Sequence, residues 1–264
     1  MQGIKAYFSR LYMLRYFIIH LVKIDLKNKF RRSKLGLIWT FLSPLLLTLI
    51  MASVFSVAFH SDITTYAPYI LTGILFWDVV SSAFQAGGYS IIGNDCFIRQ
   101  CDHPITLYTL KSAIVYIITF CIAIISLLCW LAFVNPLGIL TGLLWLLPAI
   151  VIYFMIAWAG TTIAGYTCAK YRDYPMMVPL IMQVFWYLSP VFFQEEQFQS
   201  NEVLYAWFNI NPITHLLNLI RKPFLHCVCP SGEDYLISLA FAMLLVFFAV
   251  RVNHKVGRSV IFYL

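Results

Sequence analysis

Six stretches of this chain are each long and apolar enough, or nearly so, to cross a bilayer, and that recurrence constrains its fold most. A helix rising 1.5 Å per residue needs about 20 mostly apolar residues to cross roughly 30 Å of hydrocarbon. Residues 35–59, 67–92, 111–134, 137–169, 176–193 and 235–250 meet or approach that length. The last is short, and the fourth is long enough to tilt or to break near Pro148. Hydrophobic residues make up 61% of the chain, above the roughly 45–50% of soluble domains. A water-soluble fold could not hide so much apolar surface. The reading is an all-α integral membrane protein with six transmembrane helices and one membrane domain over residues 1–264. Within it, 1–34 are a cytoplasmic amphipathic helix and 35–264 the membrane-spanning region.

The net charge of +7 says less than its placement. Lys5, Arg10, Arg15, Lys23, Lys27, Lys29, Arg31, Arg32 and Lys34 all precede the first span. Such a block beside a hydrophobic segment is a cytoplasmic flank, drawn to anionic lipid by about 1 kcal/mol per basic residue. With the N-terminus inside, the connections alternate cleanly. Arg99, Lys111, Lys170, Arg172, Arg251, Lys255 and Arg258 join the inside set, and only Arg221 and Lys222 fall outside. Both termini are therefore expected in the cytoplasm. The basic stretch is about 34 residues long and leads into a full-length span, so no cleavable leader is expected and the first span acts as the insertion signal. The charge is not read as nucleic-acid binding, because no nucleic-acid-binding signature accompanies it.

Two segments depart from the simple alternation of spans and loops. Ile4, Tyr7, Phe8, Leu11, Leu14, Ile18, Leu21 and Val22 recur at spacings of three and four between basic residues, the pattern of an amphipathic helix lying at the membrane interface. The alternative is a soluble helix packed on a partner. Residues 194–234 are too apolar for an ordinary loop and are expected to form re-entrant helices between spans 5 and 6, broken at Asn211 and Pro212. Seven cysteines follow no metal spacing. Cys227 and Cys229 fall in the expected outer segment, but cysteines separated by one residue rarely suit bridge geometry. The six histidines are scattered, so no metal site is expected.

Four stretches carry a family likeness: FRRSKLGLIWTFLSPLLLTLI from Phe30, GILFWDVVSSAF from Gly73, KYRDYPMMVPLIMQVFWYLSPVFF from Lys170 and NPITHLLNLIRKPFL from Asn211. In order and spacing the chain resembles the membrane permease subunit of type-2 ABC polysaccharide exporters, the O-antigen, capsule and teichoic acid permeases. The resemblance implies a homodimer in the bacterial inner membrane, a continuous channel for lipid-linked polysaccharide, and two ABC ATPase subunits docked on the cytoplasmic side. The chain has no G-x-x-x-x-G-K-[ST] and so cannot build a phosphate-cradling loop. It is expected to be no enzyme and to hold no cofactor, with ATP and Mg bound by the partner ATPase.

The same resemblance makes residues 94–104 a coupling helix on the ATPase, with Phe97 and Ile98 as apolar anchors and Asp95, Arg99 and Asp102 at the rim. A plain connecting turn is the other reading. Asn94 or Asp95 is expected to cap this helix, and Pro104 to open the third span. Asp78, the lone acid inside an expected span, is read in the outer third, either lining the channel or sitting near the headgroups. Phe185, Trp186, Tyr187, Phe192 and Phe193 on the fifth span, with Phe76 and Trp77 on the second, are the expected channel lining. Aromatic faces stack on pyranose rings, although an interfacial aromatic belt accounts for such residues equally. Arg172 and Asp173 are expected to shape their loop as a local ion pair, or to touch substrate.

Three rivals stand beside this reading. A membrane transferase for lipid-linked sugars would need clustered acids for a metal, and Asp95, Asp102 and Asp173 are scattered. An ion-driven carrier would show internal repeats and several buried ionisable groups. A type-2 exporter of a drug or small lipid differs only in cargo.

Overall fold

A computed structural model of the chain describes residues 9, 11–31, 34–59, 62–101, 103–194, 202–257 and 260–263. All regular structure among the described residues is helical. The order is α1 (Arg15–Phe30), α2 (Ile38–Phe59), α3 (Ile63–Phe84), α4 (Tyr89–Ile92), α5 (Asp95–Gln100), α6 (Thr106–Val134), α7 (Pro136–Lys170), α8 (Tyr174–Leu188), α9 (Glu202–Ile210), α10 (Pro212–His226) and α11 (Gly232–Val256). Short 3-10 turns at Ala86–Gly88 and Val260–Phe262 complete it.

Five of these units are long and apolar enough to cross a membrane: Ile38–Phe59, Ile63–Ile92, Thr106–Val134, Pro136–Lys170 and Gly232–Val256. Their boundaries follow local chemistry. The Asp62 carboxylate accepts from the Thr64 amide and starts α3. Asn135 and Asn211 do the same for α7 and α10, each followed by a proline at the first helical position, where the missing N–H costs nothing. Ser231 and Asp234 form a reciprocal capping box at α11. Helix α7 runs unbroken through Pro148, so the expected fourth span is one long helix.

The core lies where α3, α6, α7, α10 and α11 meet, around Leu75, Phe76, Phe120, Tyr153, Leu216 and Phe224. In lipid there is no hydrophobic drive between helices, so close packing and small residues carry the contact. At Gly142 an added Cβ would strike the Phe224 ring, so α10 lies directly on α7 there. Tyr153, midway along α7, donates to the Leu216 carbonyl at 2.7 Å and fixes the inner end of α10.

The two ends of the bundle differ in kind. One end, the basic end, gathers α1, α5, the start of α6 and the ends of α7 and α11 into a second cluster of Ile18, Leu21, Val22, Ile98, Leu107 and Tyr166. Lys111 there pairs with Asp25 at 2.8 Å, and Asn253 accepts from Tyr166 at 2.5 Å and Thr106 at 3.1 Å. The apolar stripe of α1 is thus spent on the bundle, as Leu11, Leu14, Ile18, Leu21 and Val22 pack inward, while Tyr12, Met13 and Tyr16 stay exposed. Ile4, Tyr7 and Phe8 lie outside the described residues.

The expected fifth span appears as the 15-residue helix α8, about 22 Å long and so shorter than the hydrocarbon layer. Its flanks lengthen its reach. Tyr174 donates to the Phe84 carbonyl at 2.9 Å and Tyr66 to the Phe192 carbonyl at 2.7 Å. Those two α3 positions lie about 27 Å apart along the helix axis. The Asn211–Pro212 break is where the sequence puts it, separating α9 from α10.

Candidate functional site

Helices α2 and α8 are mostly open, as are the outward faces of α11 and of the first half of α7. Of 22 residues in α2 only Thr48 and Ala52 are buried, and of 15 in α8 only Val178 and Met182. Met176, Leu180 and Tyr187 on α8 are exposed by 79%, 66% and 60%. Helix α2 packs along α3 and α6 while α8 touches its neighbours only sparsely, and the outward apolar faces of both are open to meet something else.

The aromatic residues singled out from sequence divide between this surface and the interior. Trp77 meets Trp186 edge-on at 5.4 Å. Trp186 and Tyr187 lie 6.3 and 6.1 Å from Phe192, which packs on Phe193 at 4.3 Å. Sequence reasoning missed Phe55 and Phe59, which continue this ring cluster through Phe192 and Phe193; their i, i+4 spacing on α2 is the available signal. Phe185 is exposed and without a ring contact among the described residues. Phe76 is a correction: it is 1% exposed and packs on Tyr153 in the core, because its face of α3 is turned to α7.

Asp78 is also placed differently from expectation. It lines a cavity of about 380 Å³ with Lys29, Phe30, Gly36, Trp39 and Ser43. Helix α3 runs toward the basic end, so position 78 lies in the half nearer that end, not in the outer third. Lys29 is the cation across the cavity, and no ion pair within 4 Å engages Asp78 among the described residues.

The end opposite the basic end is built around two charged groups that the sequence reading left as loop residues. Arg221 on α10 is 3% exposed. Its Nη1 donates to the Tyr69 hydroxyl and the Pro190 carbonyl, both at 2.8 Å. Nη2 donates to the Val191 carbonyl at 2.6 Å and the Tyr69 carbonyl at 3.4 Å, and Nε to Thr72 Oγ1 at 3.4 Å. All five N–H donors of the guanidinium therefore have acceptors, and the group lies over the Tyr69 ring at 3.6 Å. Tyr66 and Tyr69 donate to the Phe192 and Phe193 carbonyls, both at 2.7 Å. Four consecutive carbonyls, 190 to 193, are thus gripped by side chains of α3 and α10. Gly73 makes room, since a Cβ there would run into the Val191 carbonyl.

The second group is Asp234, whose side chain is 3% exposed. It receives Lys222 Nζ at 2.5 Å, Ser231 Oγ at 2.6 Å and Asn218 Nδ2 at 3.3 Å, with His215 Nδ1 at 3.0 Å. Arg221 and Lys222, the two basic residues counted outside, are both committed to internal contacts. Arg221 was legible, since it sits four residues after Leu217 on the apolar face of α10.

At the basic end, α5 matches the expected loop helix, and Arg99 pairs with Asp95 at 2.6 Å. Phe97 is exposed on one side and meets Phe17 edge-on at 6.2 Å. Ile98 is instead buried in the cluster that α5 shares with α1, α4, α6 and α7. Asn94 occupies the N-cap position, but its amide donates back to the Ser90 carbonyl at 2.7 Å and accepts no cap bond; Asp102 lies outside the described residues. Arg172 and Asp173 form no ion pair within 4 Å; their turn is closed by the Asp173 carbonyl, which accepts from Met176 and Met177 amides at 3.0 and 3.2 Å. The seven cysteines are unpaired. Among the described residues no cluster of His, Cys, Asp or Glu could hold a metal ion.

Residues 16–225 match the family described as ABC-2 type transporter. Over 249 residues the chain is 24% identical to a Myxococcus xanthus protein named O-antigen export system permease protein RfbA, covering 90% of this chain and 92% of the relative. A Klebsiella pneumoniae protein of the same name is 25% identical over 206 residues, 77% of this chain and 78% of its own length.

Proposed function

From the premise that this chain belongs to the ABC-2 type transporter family, we propose that it is the permease subunit of an ATP-driven exporter carrying lipid-linked polysaccharide, O-antigen first among the candidates, across the bacterial inner membrane. The observation that carries this reading is the match to relatives named as O-antigen export permeases, one of them over 90% of this chain and 92% of its own length. No observation favours a drug or small-lipid cargo.

In this reading the basic end is cytoplasmic, as the positive-inside rule requires, and both termini lie there. Helix α8 with residues 189–193 is the sixth crossing, since its two anchors on α3 are about one hydrocarbon thickness apart. The α9–α10 hairpin dips in from the outer side as a re-entrant unit. The open faces of α2 and α8 meet a second copy of the chain and frame the pathway between them. Tyr187, exposed, and Trp186 and Phe193, partly exposed, offer stacking surfaces that let a long glycan slide without being gripped, with Trp77 and Phe192 buried behind them as support. Two ATPase chains dock on the cytoplasmic side, where α5 offers exposed Phe97 beside the Asp95–Arg99 pair. ATP and Mg stay with those chains, because this one has no phosphate-cradling motif.

Disrupting the gene tests the proposal. Lipid-linked polysaccharide should accumulate inside the cell while surface polysaccharide disappears, and restoring the chain should reverse both. Normal surface polysaccharide in the disrupted strain would reject it.

A further inference from the structure

We infer that Arg221 is a permanent joint that makes the outer end of α8 and the α9–α10 hairpin move as one body during export. The inference rests on the exporter reading above, and it assigns a positioning role to a residue that touches no substrate.

Three observations carry it. First, α8 is otherwise weakly held: it buries only Val178 and Met182, and among the described residues the side-chain bond that ties its inner end to another helix is that of the Tyr174 hydroxyl. Its outer position therefore depends on residues 190–193. Second, Arg221 is the residue of α10 that reaches this segment, through the Pro190 and Val191 carbonyls at 2.8 and 2.6 Å. Trp207 of α9 adds only a long bond of 3.4 Å to the Leu188 carbonyl. Third, the guanidinium is fully buried with every donor engaged. Withdrawing it would leave a bare cation and two bare carbonyls in an apolar setting, and a buried group stripped of its partners is strongly disfavoured. A contact meant to open and close in each cycle would be built from fewer and more exposed bonds. Lysine could not replace it, because a point charge with three donors does not match five acceptors spread over two elements.

Consequently, a push on the hairpin by an emerging glycan displaces the aromatic end of α8 as well, and movement of α8 driven from the cytoplasm opens the hairpin. The mouth and the inner pathway are one moving part.

Spin labels on cysteines at Leu188 and Ile210, in an otherwise cysteine-free chain assembled with its ATPase, test this. Both positions are exposed. The 188–210 distance within one copy should be the same in nucleotide-free and ATP-trapped complexes, while the 188–188 and 210–210 distances between the two copies of the proposed dimer both change. In Arg221→Lys the 188–210 distribution should broaden and export should fall several-fold while ATP hydrolysis continues. Tyr69→Phe, which removes one acceptor, should give an intermediate result and serves if Arg221→Lys does not fold. A 188–210 distance that changes in the wild type, or unchanged distances and export in both variants, would overturn the joint. A wild-type complex with no ATP-dependent change and no glycan export would instead reject the exporter reading, and the broadening in the variants would still report on the joint.

Discussion

Replacing Gly73 by alanine asks whether the segment after α8 truly lies against the α3 backbone. Inside a helix, Gly→Ala is ordinarily favourable by about 1 kcal/mol, through backbone entropy. Here the added carbon would fall within contact distance of the Val191 carbonyl oxygen, 2.9 Å from Val191 Cγ1 and 3.1 Å from an Arg221 nitrogen. A carbon and a carbonyl oxygen approach no closer than about 3.3 Å without strain, so residues 190–193 must retreat. Overpacking of this kind costs about 1–3 kcal/mol. Retreat also stretches the charge-assisted bond from Arg221 to Val191, worth about 1.5–3 kcal/mol. The net expectation is a loss of about 1.5–5 kcal/mol after the helical gain is subtracted. The assay is the folded fraction after heating in detergent, with Gly232→Ala as control because that position faces open space. Gly73→Ala that is as stable as wild type, or more so, would refute the close approach and with it the Arg221 joint.

Asp234→Ala should lower stability by about 3 kcal/mol, at the low end for a broken buried pair because the Lys222 side chain is 33% exposed; the same heating assay reads it. Thiol labelling of intact cells should reach Cys227 and Cys229 from outside, whereas Cys96 should react only after permeabilisation; the reverse pattern would invert the topology. Replacing Trp186, Tyr187 and Phe193 together by alanine should lower surface polysaccharide and raise ion conductance across a bilayer, since bulky rings fill the resting path; normal export without added conductance in the folded variant would remove them from it.

How much was legible in the sequence follows from what a membrane helix must show. Spans announce themselves because length and apolarity are required everywhere in hydrocarbon, and five of the six expected segments are long apolar helices. Breaks were also legible where prolines and capping side chains sit, as at Asn135–Pro136 and Asn211–Pro212. Helix rotation was not. A span apolar on all sides carries no periodic signal separating the face turned to lipid from the face turned to protein. That is why Phe76 was assigned to a channel and lies in the core; Ile98, on a six-residue loop helix too short to show a buried face, was assigned to a partner and lies in the cluster at the basic end. Helix α10 is the instructive contrast: it is amphipathic, and Arg221 within its apolar stripe pointed to a buried cation that a simple count of loop charges overlooked.

The most direct test is transport itself. The chain, purified with its ATPase and reconstituted in vesicles carrying lipid-linked polysaccharide on the ATP-accessible side, should move the glycan to the far side only when ATP is hydrolysed, and the chain without its ATPase should move none. An assembled complex that hydrolyses ATP yet leaves the polysaccharide where it started, while a short lipid or a drug crosses, would contradict the account.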